Sequence, residues 1–181
     1  LGGLAHPPGF TLTLLTNRFF QLVLGNFTNP AHASDLSAAF TQALSISILL
    51  LVVTEFFKIY FRKDLDLKNM TVFILSALVG SVTFLLWLYG GVTEVMQFNN
   101  LFAGLTILAA LKWYRYSSVK VLNQWFFLTW FIAALGLSQV PSLIVIFPAL
   151  LVILVTGILN VKSQMHKTAY LKAALAGAGF F

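Results

Sequence analysis

Residues 71–90 read TVFILSALVGSVTFLLWLYG and contain no charged side chain. A helix of about 20 apolar residues is long enough to cross the hydrocarbon core of a bilayer. An uncharged apolar run of this length is typical of a transmembrane helix rather than of a helix in a soluble domain. The stretch therefore predicts a membrane-spanning helix, around which the rest of the chain can be interpreted.

Four further stretches have a similar length and apolar character: residues 43–61, 95–114, 119–138 and 139–159. Short polar or glycine-containing connections, typical of antiparallel helix hairpins, lie between the predicted spans. The sequence therefore predicts an all-α fold, a polytopic transmembrane helix bundle of five spans that occupies residues 43–161.

The two ends of the chain fit this bundle less simply. Within the N-terminal segment 1–42, residues 10–27 are apolar, but polar or charged side chains lie near their centre: Asn17, Arg18 and Gln21. A charge in the middle of a bilayer is costly, which favours an interfacial helix lying flat over a sixth span. The basic tail, residues 162–181, is predicted to follow the inner membrane surface.

Composition and charge agree with this placement. The 181-residue chain is 59% hydrophobic and 9% charged, whereas soluble domains carry about 25% charged residues. With five spans, Arg18 lies on one side and every other Lys and Arg lies on the opposite side. This positive-inside pattern predicts an outside N-terminus and a C-terminus on the cytoplasmic, matrix or stromal side of a bacterial inner membrane or an organelle membrane. The net charge of +6 thus indicates membrane topology and not a nucleic-acid partner.

Glu55 is an acidic residue well inside a predicted span, and Lys58 follows it by three residues. That spacing puts both side chains on the same helix face, where they can form an ion pair that lowers the cost of burial. Carboxylates within a membrane also serve as proton or cation relays. We expect the ion pair, with a relay as the alternative.

Three other features are candidates for packing or binding. Asn99 and Asn100 could bind a cofactor such as a chlorophyll, line a pathway or hydrogen-bond to another helix, which is the commonest use of Asn in membrane bundles. Ser76 and Gly80 are four residues apart and predict a small-residue face for helix packing. Pro148 predicts a kink within the fifth span.

The chain has no Cys, which excludes disulfides and thiolate chemistry. We find no metal-site or hydrolase motif and no pair of intramembrane aspartates, so the sequence predicts a non-enzyme, without a resident metal. The expected function is an accessory or scaffold subunit of a larger membrane complex, for example a respiratory or photosynthetic one. Its expected partners are other membrane subunits, lipids and, at most, pigments.

The alternative function is a small oligomeric transporter or channel that uses Glu55 together with Asn99 and Asn100. A pathway would require these groups to face one water-filled cavity, whereas a scaffold would leave them paired and dry.

The five-span topology predicts opposite sides for residues 34 and 117. Single cysteines at Ser34 and Ser117 in this Cys-free chain should react with an impermeant maleimide from opposite faces of the membrane. Labelling of both positions from the same face would reject five spans.

Overall fold

The computed structural model describes residues 11–61, 66–81, 96–117 and 122–160, and every regular element in these ranges is helical. The elements are α1 (Thr11–Leu24), α2 (Pro30–Phe61), α3 (Leu67–Ser81), α4 (Met96–Tyr116), α5 (Gln124–Gln139), a 3-10 helix (Pro141–Ile146) and α6 (Phe147–Asn160). The all-α class expected from the sequence is confirmed.

The predicted number of five membrane spans is not confirmed. Two helical stretches among the described residues, Pro30–Phe61 and Pro141–Leu159, are long and apolar enough to cross a bilayer. The predicted second, third and fourth spans include residues 82–90, 95 and 119–121, which lie outside the described residues, as does the tail 162–181. Five spans are therefore not confirmed.

The first predicted span begins too late, because α2 starts at Pro30 and not at residue 43. Asn29 caps this start: its Oδ1 accepts a hydrogen bond from the backbone N–H of His32 at 2.8 Å, and proline suits the first helical position. The 32 residues of α2 extend about 48 Å. The helix is thus longer than the hydrocarbon core of about 30 Å.

The extra length of α2 packs against α1, which runs antiparallel to it. Asn17 Oδ1 accepts a hydrogen bond from the Ser37 hydroxyl, and Gln21 Nε2 donates to Ser34 Oγ at 2.9 Å. Two of the polar side chains that argued against a span therefore face α2, while Arg18 is exposed. The position of α1 relative to the membrane surface stays a prediction.

Helix α4 lies at the centre of the bundle, in contact with α2, α5 and α6. It runs parallel to α2, since Ser45 meets the start of α4 at Gln97 and Glu55 meets its end at Arg115. It runs antiparallel to α5, where the rings of Trp113 and Phe126 lie 5.9 Å apart. This is the alternation of directions that an up-and-down bundle requires.

The polarity of α2 is the reverse of that of a surface helix in a soluble protein. Its buried face carries Ser37, Ser45 and Glu55, which are 2%, 1% and 6% exposed, whereas Phe40 and Phe56 on the other faces are 57% and 55% exposed. Apolar residues outside and polar residues inside suit a helix surrounded by hydrocarbon. The distribution supports membrane association.

The start of α5 also differs from the sequence prediction. Helix α5 begins at Gln124 and not at residue 119, because Asn123 Oδ1 accepts hydrogen bonds from the N–H groups of Trp125 and Phe126 and so caps the helix. Asn123 thus caps the helix that follows it.

Pro148 lies just after a change of helix type, and the kink expected there stays a prediction. Residues 141–146 form a 3-10 helix, α6 begins at Phe147, and Pro148 lies in its first turn. The N–H of Phe147 donates to the carbonyl of Ile144, the group that a proline at position 148 would leave unpaired in an α-helix. Proline is well tolerated in a first turn.

The closest helix packing occurs at glycines that the small-residue motifs did not include. A Cβ added at Gly136 would lie 2.9 Å from Cβ of Phe102, and one added at Gly157 would lie 2.7 Å from the Trp113 ring. A Cβ added at Gly80 would meet no described atom within 4 Å. Close approach therefore occurs between α4 and the helices that follow it.

Replacing Gly136 by Ala should destabilise the bundle by about 1–3 kcal/mol, the usual effect of overpacking. Gly80→Ala is the matched control; it should be neutral or slightly stabilising, because Ala favours a helix over Gly. Thermal unfolding in mild detergent measures both changes. Equal tolerance of both substitutions would contradict the packing described for Gly136.

For the topology experiment, Ser117 is a poor labelling position because it is 2% exposed. The exposed Tyr116 and Asn26 serve the same purpose on the two sides.

Candidate functional site

A cluster of buried or half-buried polar side chains lies where α1, α2 and the start of α4 meet. We name it the polar cluster; its members are Thr13, Asn17, Ser37, Thr41, Gln42, Ser45 and Gln97. Such a group inside an apolar bundle costs free energy unless its members are hydrogen-bonded. A functional role would explain why the described structure tolerates this cost, and the polar cluster is therefore our candidate site.

The periodicity of α2 brings these side chains together. Ser37, Thr41 and Ser45 are spaced by four residues and line one face of the helix. Thr41 Oγ1 donates to the carbonyl of Ser37, and Ser45 Oγ donates to the carbonyl of Thr41, both at 2.9 Å. Ser45 Oγ also lies 3.2 Å from the carbonyl oxygen of Gln97, which joins the cluster to α4.

Oγ1 of Thr13 and Oε1 of Gln42 are buried oxygens of the polar cluster that have no hydrogen-bond partner among the described residues. Both residues are more than nine-tenths buried. The hydrogen bonds between α1 and α2 fix the alignment of the two helices. In this alignment Thr13 lies opposite Thr41 and Gln42. An unsatisfied buried polar group costs about 1–3 kcal/mol, so these acceptors call for a physical explanation.

The second polar site lies further along α2, at Glu55. This buried carboxylate accepts a hydrogen bond from the guanidinium of Arg115 on α4, with Nη1 and Oε1 3.1 Å apart. Arg115 is partly exposed, so the pair connects the bundle interior with its end. Spacing within α2 predicts Lys58 as the partner of Glu55 and gives no sign of Arg115. A pair of Glu55 with Lys58 stays a prediction.

The structure does not bring Glu55 and the two asparagines together. Asn99 Oδ1 accepts a hydrogen bond from Ser142 Oγ at 3.2 Å, and Asn100 is half-buried one position further along. Arg115, which holds Glu55, is about 24 Å from Asn99 along the axis of α4. A single cavity that uses all three side chains therefore finds no support.

Ser76 and Gly80 lie on the side of α3 that faces α2. With Ala77 and Phe73 they form one wall of an apolar groove of about 270 Å³, whose other wall is Ile46, Leu49, Leu50 and Val53 on α2. The packing face expected from the sequence thus borders a groove.

No group of three or more His, Asp or Glu side chains that could hold a metal ion occurs among the described residues. The buried acceptors of Thr13 and Gln42 were missed by sequence reasoning. The four-residue spacing of Ser37, Thr41 and Ser45 could have indicated this polar face. The predicted boundary at residue 43 divided these three residues between two segments and so hid the spacing.

The family model of the protein O-mannosyl-transferase TMEM260 N-terminal domain matches residues 2–180. The chain belongs to this family. Neither the curated proteins nor the solved structures give a match. TMEM260 is a transmembrane protein family, so the membrane location inferred from composition agrees with the family.

Membership of the TMEM260 N-terminal domain family corrects the expectation that the chain is not part of an enzyme. The family is that of a protein O-mannosyl-transferase, of which this is the N-terminal domain. The absence of hydrolase and metal-site motifs does not exclude an enzyme that transfers a sugar. Neutral hydroxyl and amide groups, which a motif search ignores, can bind a sugar.

Removal of Arg115 alone should cost more stability than removal of both charges. Arg115→Met removes the guanidinium that pairs with the buried Glu55 carboxylate and should cost about 1–3 kcal/mol, between the values for exposed and buried pairs. Arg115→Met combined with Glu55→Gln should recover most of this loss.

Thermal unfolding in detergent measures the two variants, with Arg18→Met, a change at an exposed arginine of α1, as the control. An Arg115→Met variant as stable as the Arg18→Met variant would contradict a structural role for the ion pair.

Proposed function

We propose that this chain is the membrane-embedded N-terminal domain of a glycosyltransferase that moves a mannosyl group onto a side-chain hydroxyl of a protein. The observation that carries this proposal is the family match over residues 2–180. In the reaction, the bond from the anomeric carbon of mannose to its leaving group breaks. A new bond forms from that carbon to the acceptor oxygen, and the hydroxyl proton passes to a base.

The structure offers support of a physical kind. Transfer to a hydroxyl competes with hydrolysis, so the sugar must be held where water is restricted. The polar cluster provides hydroxyl and amide groups within an otherwise apolar bundle, at the end of α2 remote from Glu55. Glu55 is bound by Arg115, so we assign that carboxylate to assembly and not to proton transfer.

The proposal includes a multi-pass topology, with the N-terminus outside and the C-terminus on the cytoplasmic side. Five crossings by α2 to α6 are supported by the opposite directions of α4 and α5 and by the shared direction of α2 and α4. The end of the bundle with the polar cluster would then lie on the outer side. Membership in a respiratory or photosynthetic complex, partner subunits and pigment contacts stay predictions that no observation tests.

The test uses cells that make the full-length protein containing this chain, cells without it, and cells complemented with the parent gene. Mass spectrometry of membrane and exported proteins should show hexose on Ser and Thr, identified as mannose by sugar analysis. We expect at least a tenfold loss at specific sites in the deletion and recovery on complementation. O-linked mannose that is unchanged at every site in the deletion would contradict the proposed function.

A further inference from the structure

The hydrogen bonds of Ser37, Thr41 and Ser45 use the protons of their hydroxyl groups and leave a surplus of lone pairs. The hydroxyl protons of Thr41 and Ser45 are directed to carbonyl groups of α2, and the hydroxyl of Ser37 is directed to Asn17 Oδ1 and to the carbonyl of Ser34. A hydroxyl group has a single proton to donate. These side chains therefore expose lone pairs while their protons are already engaged.

Two acceptors on facing helices increase this surplus. Oε1 of Gln42 and Oγ1 of Thr13 accept no hydrogen bond from the described residues, and both are buried. The Gln42 oxygen can only accept a hydrogen bond, whereas the Thr13 hydroxyl can donate as well as accept. No member of the polar cluster carries a positive charge that would hold an anion such as phosphate. The site is therefore uncharged and offers buried oxygens as acceptors. It suits a neutral molecule that carries several O–H donors.

We propose that Gln42 Oε1 and Thr13 Oγ1 bind hydroxyl groups of the mannosyl unit. This assignment rests on the proposed function, which supplies a neutral polyol as the transferred group, and it adds the position at which that group is held. Each sugar hydroxyl would donate to one of the two acceptors and could accept from another group of the same ligand.

The ligand would enter between α1 and α2. Helix α1 covers the polar cluster and is joined to α2 through Gln21 and Ser34 and to the end of α5 through Gln139 Oε1, which accepts from the N–H of Leu12 at 2.8 Å. Opening these side-chain contacts would expose Thr13 and Gln42 without breaking a helix. A cross-link between positions 21 and 34 should therefore block binding.

The experiment compares substitutions that remove an acceptor while keeping the shape of the side chain. Thr13→Val removes Oγ1, and Gln42→Met removes Oε1. Thr106→Val is the matched control, because Thr106 is fully buried but its hydroxyl donates to the carbonyl of Phe102 in its own helix. All variants are made in the full-length protein and purified in mild detergent.

Binding is measured by the thermal shift that methyl α-mannoside produces. The parent and Thr106→Val should be stabilised by the mannoside, whereas Thr13→Val and Gln42→Met should need at least tenfold more of it for the same shift. Without sugar, both should be as stable as the parent or more stable, because each loses an unsatisfied polar group. Loss of mannoside binding without loss of stability is a result that a purely structural role would not give.

A cysteine pair at Gln21 and Ser34 tests entry, since the chain has no Cys of its own. The mannoside shift should vanish on oxidation and return on reduction. Three results would overturn the assignment. They are a mannoside-induced thermal shift that survives oxidation, equal mannoside shifts in Thr13→Val and Thr106→Val, and a thermal shift that depends on sodium and not on the mannoside.

The two proposals fail separately. If mannosyl transfer occurs in cells but the parent shows no mannoside shift, the proposed function stands and this assignment is wrong. If the parent binds the mannoside through Thr13 and Gln42 but O-linked mannose does not depend on the protein, the binding site stands and the transferase function is wrong.

Discussion

The packing of α2 against α4 is the interaction on which the rest of the described structure depends. In hydrocarbon surroundings a polar side chain must find its partner within the protein. Helix α2 directs its polar face toward α4, where Ser45 meets Gln97 at one end and Glu55 meets Arg115 at the other. Between them, a Cβ added at Gly104 would lie 3.0 Å from Ile48 Cγ2, which indicates close packing of the two helices.

Helix α4 is also the surface on which α5 and α6 assemble. The glycines of those helices admit large side chains of α4, Phe102 at Gly136 and Trp113 at Gly157. Trp113 contacts Phe126 as well, so one indole ring packs against both following helices. Polar pairing on one side of α4 and aromatic packing on the other together restrict its position.

The helical class and the location in a membrane could be predicted from the sequence because they follow from composition and from long apolar runs such as residues 71–90. The boundaries were less accessible. Hydropathy does not detect that Asn29 and Asn123 are helix caps, so α2 was predicted to begin too late and α5 too early.

The candidate site was harder still to predict, because its residues come from three helices. Glu55 is separated from Arg115 by 60 positions, and spacing within one helix suggested Lys58. Likewise, Thr13 lies against α2 only because the chain reverses its direction between α1 and α2. Small-residue spacing identified Gly80, which borders a groove, and could not distinguish it from Gly136, whose crowding depends on Phe102 across the interface.

The 3-10 helix before α6 has a consequence for the distance that the chain can cover. A 3-10 helix rises about 2.0 Å per residue, compared with 1.5 Å for an α-helix. The 19 residues from Pro141 to Leu159 therefore extend about 32 Å, whereas a continuous α-helix would extend about 29 Å. The hydrocarbon core is about 30 Å thick, so the tighter winding lets a short apolar segment match the thickness of the membrane without further residues.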